Sequence, residues 1–277
     1  MPWTPILNSS LAENVGRKRL RDPAGNARAL APKGERAVAQ PQQSSVRNRL
    51  LAGLSPADFE RLQPHLQPVS LDLREVMLDA KGPIPHVTFI ERGIASGLAN
   101  TSEGRIEVGL VGSEGMIGLP VVLGIDRSPY AYMVQGVGEG LRISAGEFRA
   151  AVGESPSLQA RLLRYAHVLM VQKAQTAFAN AAFTVEVRLA RWILMTHDRT
   201  EGDELLLTHD FLSMMLGVRR PGVTVAVQVL EGNRLIRATR GRITVLDRDG
   251  LEAVADDAYG LAESEYEDAL AEPESAE

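Results

Sequence analysis

The stretch that most limits what this chain can fold into runs from Leu207 to Leu246 and reads LTHDFLSMMLGVRRPGVTVAVQVLEGNRLIRATRGRITVL. Thr208 is placed to cap a helix whose apolar face is Phe211, Leu212, Met215 and Leu216. Gly217 ends that helix, because glycine enters a left-handed turn without a Cβ penalty. Val218 is expected as a buried hinge. Val223, Ala226, Val227 and Leu230 then recur at i, i+3, i+4 and i+7, one apolar stripe on a second helix. Two short helices joined by a glycine turn form a helix-turn-helix.

The residues left outside that stripe suit duplex DNA. Arg219 and Arg220 open the second helix, where a recognition helix meets base edges and phosphates. Pro221 fits a first turn, since its missing N–H is unpaired there in any case. Gly222 lets the backbone approach closely. Thr224 and Gln228 can hydrogen-bond a base, and Val225 can contact a thymine methyl. Beyond Glu231-Gly232-Asn233, Gly241 marks a hairpin with Arg240 and Arg242 at its tip, a basic wing for phosphate contact. The expected DNA contacts are therefore Thr208, Arg219, Arg220, Gly222, Thr224, Val225, Gln228, Arg240 and Arg242. A solvated hairpin with ordinary surface arginines is the alternative; the order helix, turn, helix, basic wing favours DNA.

Charge is unevenly spread in a way that supports this division. The net charge is -5, yet residues 207–250 carry seven basic side chains against four acids. Residues 1–50 carry nine against three, and the last 27 residues carry ten acids and no base. An acidic chain with a basic segment near its end points to an anionic partner for that segment.

The rest of the chain divides as follows. Residues 1–47 read as a disordered basic leader, without periodicity. Residues 48–153 hold short helices, the second opened by Ser55-Pro56, and then β-type runs such as Val87-Thr88-Phe89-Ile90 and Tyr132-Met133-Val134. Gly136-Val137-Gly138-Glu139-Gly140 reads as a turn between strands. Many short strands at this spacing indicate a β-barrel or jelly roll. Ser155-Pro156 opens a long helix over 154–181, on which Leu158, Leu162, Tyr165, Leu169 and Thr176 form one seam. Leu163, Ala166, Met170, Lys173 and Ala177 form a neighbouring seam. Two adjacent seams suit a helix that packs on its own barrel and on a partner helix. The first seam is assigned to the dimer contact, with a wholly intramolecular core as the alternative. Residues 182–250 form the winged helix, and 251–277 an acidic tail. The fold class is thus α+β.

Several functions are excluded or disfavoured. The chain has no cysteine, so it can hold no disulfide, thiolate zinc site or cysteine-ligated iron–sulfur cluster. Its five histidines lack close ligand spacing, so no metal site is expected. His197-Asp198 and His209-Asp210 are i, i+1 neighbours, which point apart on a helix, so neither is a catalytic dyad. No catalysis is expected. No apolar run reaches the ~20 residues of a membrane helix, and no signal peptide is evident, which places the protein in the cytosol.

Residues 48–260 resemble the Crp–Fnr family of bacterial transcription regulators. The likeness rests on Val87-Thr88-Phe89-Ile90-Glu91-Arg92-Gly93, the connector helix, Gly112-Ser113-Glu114-Gly115-Met116-Ile117-Gly118-Leu119-Pro120 and the winged helix from Thr208. It implies a cyclic-nucleotide-binding-like β-roll, a homodimer through the long helix, a palindromic operator on double-stranded DNA, and RNA polymerase as a further partner. In the cyclic-AMP-responsive members a Gly-Glu-Leu stretch and an Arg-Ser pair hold the nucleotide. Here Arg127-Ser128 matches the pair, but Gly115-Met116-Ile117 replaces the acid-bearing stretch. Methionine cannot accept the ribose hydrogen bonds, so cyclic AMP is not expected and no cofactor is assigned, in keeping with a resemblance to a sub-group that has no assigned effector. Any unknown small-molecule effector is placed at Gly115, Met116, Arg127 and Ser128, with Arg127 as a surface-turn arginine paired with Asp126 the alternative. The recognition helix departs too: Arg220 matches the family's base-reading pattern, but its acid and second arginine are replaced by Pro221 and Val225. A cyclic-AMP-dependent factor and a protein-binding module are the alternative functions.

Overall fold

The computed structural model describes residues 40–102 and 104–271. Two short helices, α1 (Arg49–Ala52) and α2 (Pro56–Leu62), lead into the sheet. Asn48 fixes their start. Its buried amide donates to the carbonyls of Ile90 and Gly115 at 2.9 and 2.8 Å, while its oxygen accepts the Leu51 N–H. Order begins earlier than expected, however. Gln43 donates to the Leu54 carbonyl at 2.8 Å and Val46 packs on the core, so residues 40–47 belong to the folded unit. The remainder of the leader lies outside the described residues.

The sheet is antiparallel, with strand order β1 (Gln67–Leu71), β6 (Ala131–Ser144), β3 (His86–Thr101), β4 (Gly104–Val111). β2 (Val76–Leu78) pairs with β6, and β5 (Met116–Ile117) pairs with β3. This is the expected roll, but built on two long strands where short ones were read. The supposed turn at Gly136–Gly140 lies inside β6, opposite register shifts in β3. Gly93 adopts φ +91°, and a Cβ on Gly138 would sit 2.0 Å from the Arg92 carbonyl oxygen. Glycine therefore bends a continuous ladder here instead of ending it.

From the roll the chain enters α3 (Ala145–Glu154), then α4 (Pro156–Ala182) and α5 (Val185–His197). Ser155 caps α4 by accepting the Leu158 N–H. The inward seam of α4 corrects the sequence reading. Leu158, Leu162, Tyr165 and Leu169 all join the roll's own core, Leu169 being 6% exposed. Thr176, half-buried, donates to the Gln172 carbonyl and accepts from Arg191. The exposed large apolar residues of α4 are Leu163 (44%), Met170 (62%) and Phe178.

After β7 (Glu204–Leu205) come α6 (His209–Leu216), α7 (Arg220–Gly232), the hairpin β8 (Ile236–Thr239) and β9 (Arg242–Val245), α8 (Arg248–Ala255) and α9 (Leu261–Leu270). β7 adds a third strand to the wing by pairing with β9. The acidic tail is a further correction: as far as residue 271 it is folded. Ala258, Ala262, Tyr266 and Leu270 are buried at four-residue spacing, and the acids occupy the other faces. Tyr266 donates to the Glu114 carbonyl at 2.8 Å, and Arg49 grips both Glu267 oxygens at 2.7 and 2.8 Å. Thus α9 is strapped across α4 and the roll. The last six residues lie outside the described region.

Candidate nucleic-acid interface

Local chemistry builds the two helices as expected. Thr208 Oγ1 accepts the Phe211 N–H at 3.2 Å, and Gly217 ends α6 in the left-handed region at φ +61°. Ser213 donates to the Val218 carbonyl, closing the turn. Val218 is half-buried, less enclosed than a hinge in the core. Val223, Ala226, Val227 and Leu230 are buried together with Leu212 and Leu216. Any L-residue at Gly217 pays the left-handed penalty. Gly217→Ala is expected to lower stability by about 1–2 kcal/mol in urea unfolding; a variant as stable as the parent contradicts this account of the turn.

The opposite face of α7 is open. Arg220, Val225 and Gln228 are exposed, and Arg219 stands just before the first turn. A Cβ on Gly222 would meet nothing within 4 Å, so no packing demand explains glycine there. Arg240 and Gly241 form the two-residue turn of the wing, with Gly241 at φ +77° and Arg240 exposed. Arg242, beside that turn, pairs with Glu204 of β7, which ties the wing's tip to its third strand. With Arg234 and Arg237, six arginines are exposed on this helix start and wing.

Two neighbouring side chains were not expected in any role. Asp210 Oδ1 lies 3.1 Å from Arg220 Nη1, and His209 Nδ1 lies 3.2 Å from Thr224 Oγ1. The first turn of α6 therefore reaches the start of α7 at two points. The Thr224 hydroxyl also donates to the Arg220 carbonyl at 3.1 Å, so in the free protein it is engaged within the chain. Reading His209-Asp210 only as a possible dyad hid this, because their partners lie on another helix.

The expected effector residues are placed by packing. Met116 is 1% exposed in the roll's core, and its N–H donates to Tyr165 Oη at 3.2 Å. A Cβ on Gly115 would sit 2.1 Å from that same oxygen. The Ser128 hydroxyl donates to the Tyr130 carbonyl and accepts the Tyr130 N–H, closing a turn. Arg127 has a side chain 72% exposed, 3.7 Å from Asp126, as a surface arginine would. Gly115, Met116 and Ser128 thus have structural duties of their own, and Arg127 stands in solvent. A cavity of about 280 Å³ opens elsewhere, between the roll, α4 and α9, lined among others by Glu114, Tyr165, Arg199 and Tyr266. Among the described residues no group of three or more His, Asp or Glu is arranged to hold a metal, and no helix is long and apolar enough to cross a membrane.

Residues 187–254 match the Crp-like helix-turn-helix domain. No curated protein sequence matches the chain. Among solved structures, FixK2 from Bradyrhizobium japonicum is similar with a TM-score of 0.61 at 14% identity, covering 70% of this chain and 99% of that one. A Crp/Fnr-family transcriptional regulator from Thermus thermophilus gives a TM-score of 0.57 at 23% identity, with coverages of 68% and 98%. The c-di-GMP responsive global regulator CLP from Xanthomonas campestris gives 0.56 at 15%, with 69% and 99%. The chain thus carries a Crp-like helix-turn-helix domain, set in the fold of the Crp/Fnr transcriptional regulators.

Proposed function

We propose that this protein is a sequence-specific, double-stranded-DNA-binding transcriptional regulator that acts as a homodimer. The observation that carries this reading is the open outer face of α7, with Arg220, Val225 and Gln228 exposed beside an arginine-tipped wing. Arg220, Thr224 and Gln228 read base edges, Val225 meets a thymine methyl, and Arg219, Arg240 and Arg242 hold phosphates. Leu163 and Met170, seven residues apart on the face of α4 left uncovered, meet their counterparts in a second copy. The dimer brings two recognition helices to successive major grooves of a palindromic operator. A small molecule of unassigned identity biases their relative placement, and RNA polymerase is the further partner through which bound protein changes transcription. No step of this reading requires catalysis.

Salt tests it. Three phosphate-holding arginines in each of two subunits would release roughly six counterions, so affinity for duplex is expected to fall about 10³-fold between 50 and 200 mM salt. Fluorescence anisotropy with a labelled duplex reads this directly. A flat response would point to a winged helix that binds protein instead.

A further inference from the structure

Glu107, on β4, is buried where the roll meets the DNA-binding unit. Its two oxygens are engaged from opposite sides of that seam. Ser96 Oγ on β3 lies 2.5 Å from Oε2, and the Trp192 indole N–H on α5 donates to Oε1 at 3.0 Å. Trp192 packs edge-on against Phe211 of α6, with ring centroids 5.7 Å apart, and the Met215 sulfur of α6 lies 3.8 Å from Ser96 Oγ. The first helix of the helix-turn-helix is therefore held to the sheet through this cluster.

The charged groups bearing on Glu107 are Arg191 on α5 and Arg199 just beyond it, and both favour the carboxylate. Each is engaged elsewhere: Arg199 with Glu114 at 2.8 Å, Arg191 with Thr176 at 3.2 Å. The histidines of these helices also face other partners, His197 toward Asp203 and Arg248, His209 toward Thr224. Burial outweighs the two arginines and the two hydrogen bonds, and the Glu107 carboxyl is pushed up from 4.5 to about 7.

We propose that Glu107 is a proton-operated clasp: as the neutral acid it holds the winged-helix unit on the roll, and on losing its proton it lets that unit loosen. Once undocked and solvated, the group would titrate in the ordinary carboxylate range, so the docked form takes up a proton that the loosened form does not. Docking is then strongest below that range, weakens as pH rises toward 7, and levels off above it. The whole change is on the order of a hundredfold in the docking equilibrium. The clasp deepens the regulator reading, and rests on it only for what the movement accomplishes.

The test uses the full chain with Trp3→Phe, leaving Trp192 as sole indole reporter. Acrylamide quenching of Trp192 is followed from pH 5 to 8.5. The quenching constant is expected to rise several-fold with pH in this parent and to stay low throughout in Glu107→Gln, which mimics the neutral acid. Ser96→Ala removes a donor that favours the carboxylate, so there the rise is expected to extend to higher pH; this second variant decides the matter should Glu107→Gln fail to fold. A parent whose quenching does not change with pH, or a Glu107→Gln curve superimposed on a rising parent curve, overturns the clasp. No DNA enters the measurement. A chain that shows the response yet binds no duplex keeps the clasp and loses the regulator reading, and the reverse pairing does the opposite.

Discussion

Leu169→Glu is expected to destabilise the fold strongly, whereas Met170→Glu, one residue on, leaves its stability intact and separates the proposed dimer. Leu169 belongs to the core that α4 shares with the roll, alongside Leu162 and Tyr165. A carboxylate there is taken out of water among apolar side chains, and the cost of such a change is about 3–5 kcal/mol. Circular-dichroism melting should register it as a drop of roughly 6–20 °C, at about 2–4 °C per kcal/mol for a chain of this size. Met170 stands largely in solvent on the same helix. Its replacement should leave the melt near the parent's while sedimentation shifts from dimer to monomer. A monomeric Leu169→Glu protein with the parent's melt would return the first seam to the partner contact.

The second large effect falls on discrimination between DNA sequences. Arg220→Ala is expected to cost roughly 1–3 kcal/mol at the operator, while binding to scrambled duplex changes far less. The reason is position: Arg220 opens α7 on its solvent side, and in the free protein its guanidinium rests 3.1 Å from Asp210, an exposed contact that base edges can replace. An unchanged ratio of operator to scrambled affinity would remove Arg220 from base readout and leave it a phosphate contact.

What could be read from the sequence follows where a period was unambiguous. The α7 stripe at i, i+3, i+4 and i+7 admits one buried face, and its four members are the buried ones. Thr208, Gly217 and Gly241 were legible because a cap and two left-handed turns each demand a particular residue type. On α4 the period was clear but the partner was not: adjacent seams look alike in sequence, and only the presence of the roll and α9 decides which one is covered. The five-residue glycine run in β6 looked like a turn because glycine serves both a turn and a bent ladder, and the neighbour that distinguishes them, Gly93, lies more than forty residues away. α9 was masked by its charge. Counting ten acids hid an apolar row of Ala258, Ala262, Tyr266 and Leu270 that a search at four-residue spacing finds. Asp210 and His209 were missed in the candidate site because their roles are set by another helix, not by their own neighbours.

Selection of binding sites by the purified protein from random duplex DNA, with no effector added, tests the base-reading role of α7 most directly. A palindrome with half-site centres about 34–36 Å apart is the predicted result, since two recognition helices on a two-fold axis reach the major groove one turn apart. Recovery of no enriched sequence, without effector or with a cyclic nucleotide supplied, would contradict the reading of α7 as a base-reading helix.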